Sequence, residues 1–156
     1  MNNHIRRLTQ NDPPRLQDFW IKQWGDDFII VHNEVIRYDK VDAFIYEDWS
    51  GVITFMIRGE ECEITSLDSL DEGKGIGTVL INEVLQEAKE KKSRRVFLIT
   101  TNDNMHALGF YQRRGFKLAA IHRDAVNESR KIKPSIPLIG ENNIPLQDEI
   151  ELEILI

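Results

Sequence analysis

Apolar residues along the chain change period several times, and the changes divide it into elements. Leu16, Phe19, Trp20 and Trp24 recur at intervals of three and four behind Asn11-Asp12-Pro13-Pro14, a capping side chain followed by prolines whose fixed φ suits a first helical turn. The pattern predicts a helix with an aromatic face, stopped by Gly25. That face belongs either to the core or to the floor of a ligand pocket. Short apolar segments follow: Phe28 to Val31, Val41 to Tyr46, Val52 to Ile57 and Glu61 to Leu67. Glu47-Asp48-Trp49-Ser50-Gly51 and Arg58-Gly59-Glu60 between them are turn signals, so these segments read as an antiparallel meander.

The period then lengthens. Ile76, Val79, Leu80, Val84, Leu85 and Ala88 predict an amphipathic helix from about Gly75 to Lys91. Arg95 to Thr100 is a strand, Asn104 to Arg114 a helix closed by Gly115, and Phe116 to His122 another strand. Asp124 to Lys131 reads as a short polar helix. Lys133 to Gln147, with three prolines and a glycine, reads as a loop. Asp148 to Ile156 alternates acid and apolar residues, as a last strand with one wet face would. The order predicts an α+β fold in one domain spanning residues 1–156. Its central sheet is mixed and mostly antiparallel, with helices on both faces. The unit from Glu61 to Thr100 is expected to be a right-handed crossover between parallel strands.

Composition narrows the classes. At 156 residues, 41% of them hydrophobic and 29% charged, the chain has the size and balance of one globular domain. No apolar run approaches the roughly 20 residues that span a bilayer, and no h-region follows the basic N-terminus, so a cytoplasmic location is expected. The formal charge of −6 argues against non-specific binding to nucleic acid or anionic membranes. Cys62 is the only cysteine, which excludes an intrachain disulfide and paired-thiolate metal sites; no metal is expected. It reads as a small apolar residue in a strand. Acids gather after Pro134 (Glu141, Asp148, Glu149, Glu151, Glu153) beside a basic stretch from Lys91 to Lys131. They form a solvated surface or an acidic rim that attracts a cation.

The strongest local feature is Gly73-Lys74-Gly75-Ile76-Gly77-Thr78, between a predicted strand and a predicted helix. Glycines let backbone amides turn toward an anion, and the helix N-terminus adds the positive end of its dipole. Other phosphate motifs fail on spacing. A P-loop needs Ser or Thr after Gly-Lys, but Gly75 follows Lys74; a dinucleotide fingerprint needs a third glycine where Leu80 stands. One strand later come Asn104, Ala107, Phe110, Tyr111, Gly115 and Phe116.

With these two motifs, in this order, the chain resembles the GNAT superfamily of acetyl-CoA-dependent N-acetyltransferases, strongly from about Glu61 to Phe116 and loosely before. That family ends a strand in a loop of Gln or Arg, two spacers, Gly, a spacer and Gly or Ala, which cradles the CoA pyrophosphate. It then carries a helix of pattern Asn-x-x-Ala-x-x-Phe/Tyr-Tyr-x-x-x-Gly-Phe. The resemblance implies a V-shaped splay between the strand ending near Leu67 and the strand starting near Arg95, with backbone at Leu67 and Asp68 bonding the pantetheine. It implies that the amides of Gly73, Lys74, Gly75, Ile76 and Gly77 hold the pyrophosphate, with Thr78 beside them. Asn104 would cap its helix and position the pantetheine arm, and Ala107 and Phe110 would pack against CoA or the core. Tyr111 would be the general acid, since a departing thiolate needs a proton and a phenol of pKa about 10 supplies one.

The attacking amine must lose a proton, and a carboxylate on the strand before the loop would take it through water. Glu63 is the first choice, Glu61 the second and Asp68 the third; His122 and His106 are further candidates. Alternation puts residues 61, 63, 65 and 67 on one face, unless a bulge swaps them. Two departures stand out. Glu72 occupies the position of the usual Gln or Arg, where a carboxylate would repel the pyrophosphate unless Lys74, Arg113 or Arg114 offset it. The segment from Asp124 to Gln147 is long, and would cover the acceptor site or form a homodimer contact. The implied function is transfer of acetyl from acetyl-CoA, the acyl donor, to a primary amine of a small molecule by direct attack in a ternary complex. A non-catalytic acyl-CoA-binding domain and a protein N-acetyltransferase are the alternatives.

Overall fold

The computed structural model describes residues 3–156. By their internal packing these form two compact units, one of residues 3–29, 36–96 and 155–156, the other of residues 30–35 and 97–154. Within each unit the strands form mostly antiparallel sheet.

In the first unit the strand order is β1 (Ile5–Arg7), β4 (Asp42–Tyr46), β5 (Gly51–Arg58), β6 (Glu61–Ser69). Three of the four predicted meander segments are present as β4, β5 and β6, antiparallel in succession, whereas Phe28 to Val31 lies outside this sheet and pairs elsewhere. Strand β1 is an addition to it. Three residues carry no readable period, and β1 is held instead by its ladder to β4 and by Arg7, whose guanidinium donates to both oxygens of Glu87 at 2.7 and 2.9 Å. Glu87 is a buried carboxylate on α2 (Ile76–Glu90), the helix that packs across β4, β5 and β6. The helix closes its core with Ile76, Leu80, Ile81, Val84 and Ala88.

Helix α1 (Pro13–Trp24) begins and ends where expected, with Gly25 left-handed at φ 82°. Its aromatic face divides: Leu16 and Trp20 are core, Phe19 lies 5.9 Å from the Trp49 ring, and Trp24 stays at the surface. Asp12 does not cap it through its side chain. The carboxylate instead receives the amide and hydroxyl of Thr9 and both terminal nitrogens of Arg6, which hold its carboxyl well below the usual range.

A separate hairpin joins β2 (Phe28–Val31) and β3 (Glu34–Arg37), the latter not anticipated from the pattern. Its turn residues His32 and Asn33 are both left-handed, as a two-residue hairpin requires. In the second unit the order is β7 (Arg95–Thr101), β9 (Glu149–Leu155), β8 (Lys117–His122), with β8 and β9 antiparallel. The helices are α3 (Met105–Arg113) and α4 (Ala125–Ile132). Strand β9 therefore has a neighbour on each side, and the wet face expected of it is not observed: Glu149 is 3% exposed. Alternation alone does not distinguish an inner strand with buried acids from a solvated one.

The long connection before β9 is tied down by side chains that reach into it. Arg130 donates to the carbonyls of Ile136, Pro137 and Leu146, and Asp103 accepts the amide of Glu141 at 2.8 Å. No helix among the described residues is long and apolar enough to cross a membrane.

Candidate active site

The glycine loop is built from β5 upward. Gly51 opens that strand beneath the first turn of α2, where a Cβ would stand 2.4 Å from Ile76 Cγ2 and 3.2 Å from Leu80 Cδ1. The missing side chain lets α2 start close against the sheet, with Ile76 buried as its anchor. Gly73 and Gly75 have φ of 82° and 72°, the left-handed region that favours glycine, and a Cβ at either would meet nothing within 4 Å. Dihedral, not crowding, demands glycine there, and both positions face open space. Gly75 is also the residue before α2, so no side chain caps the helix and its first-turn amides, including Ile76 and Gly77, point outward at the positive end of the dipole. Thr78 and Leu67 are half-buried. Lys74 is exposed and bound to Asp71 at 2.8 Å, which raises its pKa through that hydrogen bond and the adjoining charge. Glu72 is exposed.

The anticipated bulge sits in β6. The register to β5 runs Thr54 to Ser66 and then Phe55 to Ile64, leaving Thr65 between. The extra residue shifts parity, so Glu61, Glu63, Ser66 and Asp68 share the face of Thr54 and Val52, while Cys62, Ile64 and Leu67 share the face of Ile53 and Gly51 under α2. The simple grouping of 61, 63, 65 and 67 does not hold. Hydroxyl contacts of 2.6 Å from Thr54 to Thr65 and to Ser66 fix the bulge.

The three carboxylates of β6 differ in their partners. Glu63 is buried and takes a hydrogen bond from Arg58 at 3.0 Å; Glu61 is paired with Arg95. Asp68 is half-buried and, among the described residues, accepts only from the Trp24 indole N–H, at 3.2 Å. Burial pushes its carboxyl up from 3.8 to about 6, against the lowering effect of that hydrogen bond. Cys62 is fully buried, and desolvation, with the charges of Glu87 and Glu63, pushes its thiol up to about 12. Such a thiol is protonated and inert at neutral pH.

In the second unit, three consecutive residues ahead of α3 each hold something different. Asn102 accepts the amides of Gln147 and Asp148 and donates to Pro145 O, fixing the approach to β9. Asp103, 5% exposed, accepts from Thr101 Oγ1 at 2.5 Å and from Glu141 N–H. Asn104 caps α3, its Oδ1 accepting the Ala107 amide at 3.0 Å. Only the third was legible in the sequence, because the amides that donate to the other two lie some 40 residues on.

Tyr111 is buried on α3, edge-on to Phe110 at 5.2 Å and to Phe116 at 5.5 Å. Ala107 and Phe110 are half-buried on the same helix. Arg114 lies 3.5 Å from the centre of the Phe110 ring and donates to its carbonyl, and the Arg113 guanidinium covers Gly109. His106 is exposed and stacks on Phe110 at 6.1 Å. His122 Nε2 is 2.9 Å from Glu151 Oε1, and its ring is 4.3 Å from that of His32. Glu149 accepts the His32 amide with both oxygens at 3.1 Å; burial holds its carboxyl above the usual range against that bond.

These features define a class: an α+β protein with an open glycine loop at a helix start, and a motif helix carrying a buried phenol. The sequence model of the acetyltransferase (GNAT) family matches residues 10–116, and the chain belongs to that family. It is similar to the Bacillus subtilis (strain 168) protein YdhI, 45% identical over 139 residues, which are 86% of this chain and 87% of that one. Its fold is similar to that of a GNAT family acetyltransferase from Elizabethkingia anophelis, solved with acetyl-CoA bound (TM-score 0.70, 20% identity, covering 99% of this chain and 100% of that one). It is similar also to that of a Bacillus subtilis acetyltransferase in complex with CoA (TM-score 0.69, 19% identity, covering 98% of each).

Proposed function

We propose that this protein transfers the acetyl group of acetyl-CoA to the primary amine of a small molecule by direct attack in a ternary complex. The observation that carries the reading is the Gly73–Gly77 loop, whose two left-handed glycines open onto space at the uncapped start of α2. Acetyl-CoA or CoA bound to relatives of the same fold supports it. The amides of Gly73, Lys74, Gly75, Ile76 and Gly77 hold the pyrophosphate, with Thr78 in the same turn. These are backbone donors, so the exposed Glu72 in the place of the family's usual Gln or Arg does not remove them. Leu67 and Asp68 offer main-chain groups to the pantetheine, and Asn104, Ala107 and Phe110 line its arm.

In the reaction the amine lone pair attacks the thioester carbonyl, the C–S bond breaks, the departing thiolate takes the phenolic proton of Tyr111, and the proton the nitrogen sheds as the amide forms returns to the phenolate. The proton shed by the acceptor ammonium goes to a β6 carboxylate. Among the candidates Asp68 suits this best. Glu63 and Glu61 cannot take a proton without giving up Arg58 and Arg95, whereas Asp68, with a pKa of about 6, is ionised at neutral pH yet basic enough to accept one.

Replacing Tyr111 by Phe tests the acid directly. The expected result is a fall in kcat of about 10²- to 10⁴-fold, with acetyl-CoA affinity by titration calorimetry unchanged. Unchanged kcat would remove Tyr111 from the mechanism.

A further inference from the structure

Asp68 differs from five other carboxylates of its unit. Asp12, Asp42, Glu61, Glu63 and Glu87 each hold an arginine. Asp68 has no cationic partner among the described residues, and its hydrogen bond comes from a neutral indole. A half-buried carboxylate without a cation is unusual, because desolvation is otherwise offset by pairing. Trp24, the last residue of α1, is 47% exposed although its N–H edge is fixed on Asp68, so the ring is oriented but not covered. Ile21 lies one turn earlier on the same stripe of α1, also 47% exposed, and Leu70, two residues beyond Asp68, is 55% exposed. An exposed indole held on an uncompensated carboxylate marks a ligand site better than it marks a core.

We infer that Trp24 and Asp68 form the acceptor subsite, and that the acceptor is a monoamine carried on an aromatic or extended apolar group. The carboxylate attracts the ammonium head, and the indole, with Ile21 and Leu70, takes the apolar body through contact and cation–π attraction. A single carboxylate among apolar groups has nothing to offer the further charges of a polyamine. This inference rests on the reading of Asp68 as the proton acceptor.

The test uses the full chain with acetyl-CoA and four amines: phenethylamine, hexylamine, ethanolamine and spermidine. Wild type is expected to use phenethylamine and hexylamine with kcat/KM at least about tenfold above ethanolamine and spermidine. Trp24→Ala, its fold checked by circular dichroism, reduces the phenethylamine-to-ethanolamine ratio about fivefold or more through KM, and Trp24→Phe keeps most of it. A preference for spermidine or ethanolamine, or a ratio untouched in Trp24→Ala, overturns the subsite while leaving the transferase reading intact. In parallel, the Trp24 indole resonance, assigned with Trp24→Phe, is followed as phenethylammonium is added in the presence of CoA. A shift with no acetylation of any amine overturns the transferase reading and keeps the subsite; no shift and no acetylation overturns both.

Discussion

Asp68 shows how one side chain's surroundings outweigh its type. Its carboxyl is raised from 3.8 to about 6 by burial, so the folded state favours the protonated form. The stability this brings is full below pH 4 and is lost as pH rises through 6. At pH 8 the chain therefore carries a destabilising carboxylate, and Asp68→Asn is expected to be more stable than wild type by on the order of 1–3 kcal/mol, measured by calorimetry at pH 8 and vanishing near pH 4. The same substitution removes the proposed proton acceptor. The kcat/KM of the wild type is expected to rise with pH through about 6, and Asp68→Asn to lose both that limb and most of its rate. An Asn variant that keeps the limb would assign it to another group. Nothing in the sequence ranks Asp68 above Glu63, because the ranking depends on which carboxylate finds an arginine: Arg58 is five residues from Glu63 and Arg95 is 34 from Glu61.

At the scale of elements, the helices and long strands were legible, since their apolar periods run over several turns or pleats and their ends carry Pro13, Gly25, Asn104 and Gly115. Strand β1 was not, because what keeps three residues in place is Arg7 reaching Glu87, 80 positions away. The bulge at Thr65 was legible as a possibility and not as a position. Two glycines make the element scale testable. Gly51→Ala puts a methyl 2.4 Å from Ile76 Cγ2, so α2 must shift at its first turn. The expected result is a loss of about 1–3 kcal/mol in stability and weaker acetyl-CoA binding in titration calorimetry. Unaltered affinity would separate the start of α2 from the pyrophosphate. Gly140→Ala puts a methyl 2.1 Å from Asp103 Oδ2, against the carboxylate that receives the Glu141 amide. Hydrogen exchange at Glu141 is expected to quicken, while the glycine loop at residues 73–77 keeps its exchange pattern.

For the whole molecule, the two motifs named the family before any fold was seen, because each requires particular residue types at fixed spacing in a fixed order. The acceptor was not legible: the side chains proposed to receive it, Trp24 and Asp68, are 44 residues apart and belong to no motif. The formal charge of −6 bears on the same question. For a cationic acceptor, kcat/KM is expected to fall roughly two- to fivefold between about 20 and 200 mM salt, whereas a neutral acceptor would show little change. The central claim, acetyl transfer from acetyl-CoA to an amine, is tested most directly by measuring free CoA thiol and acetylated amine together, by mass spectrometry, in wild type and Tyr111→Phe. The account predicts amine-dependent release of thiol, one for each acetyl group transferred, and its near loss in the variant. A wild type that binds acetyl-CoA and acetylates no amine in the panel would contradict it.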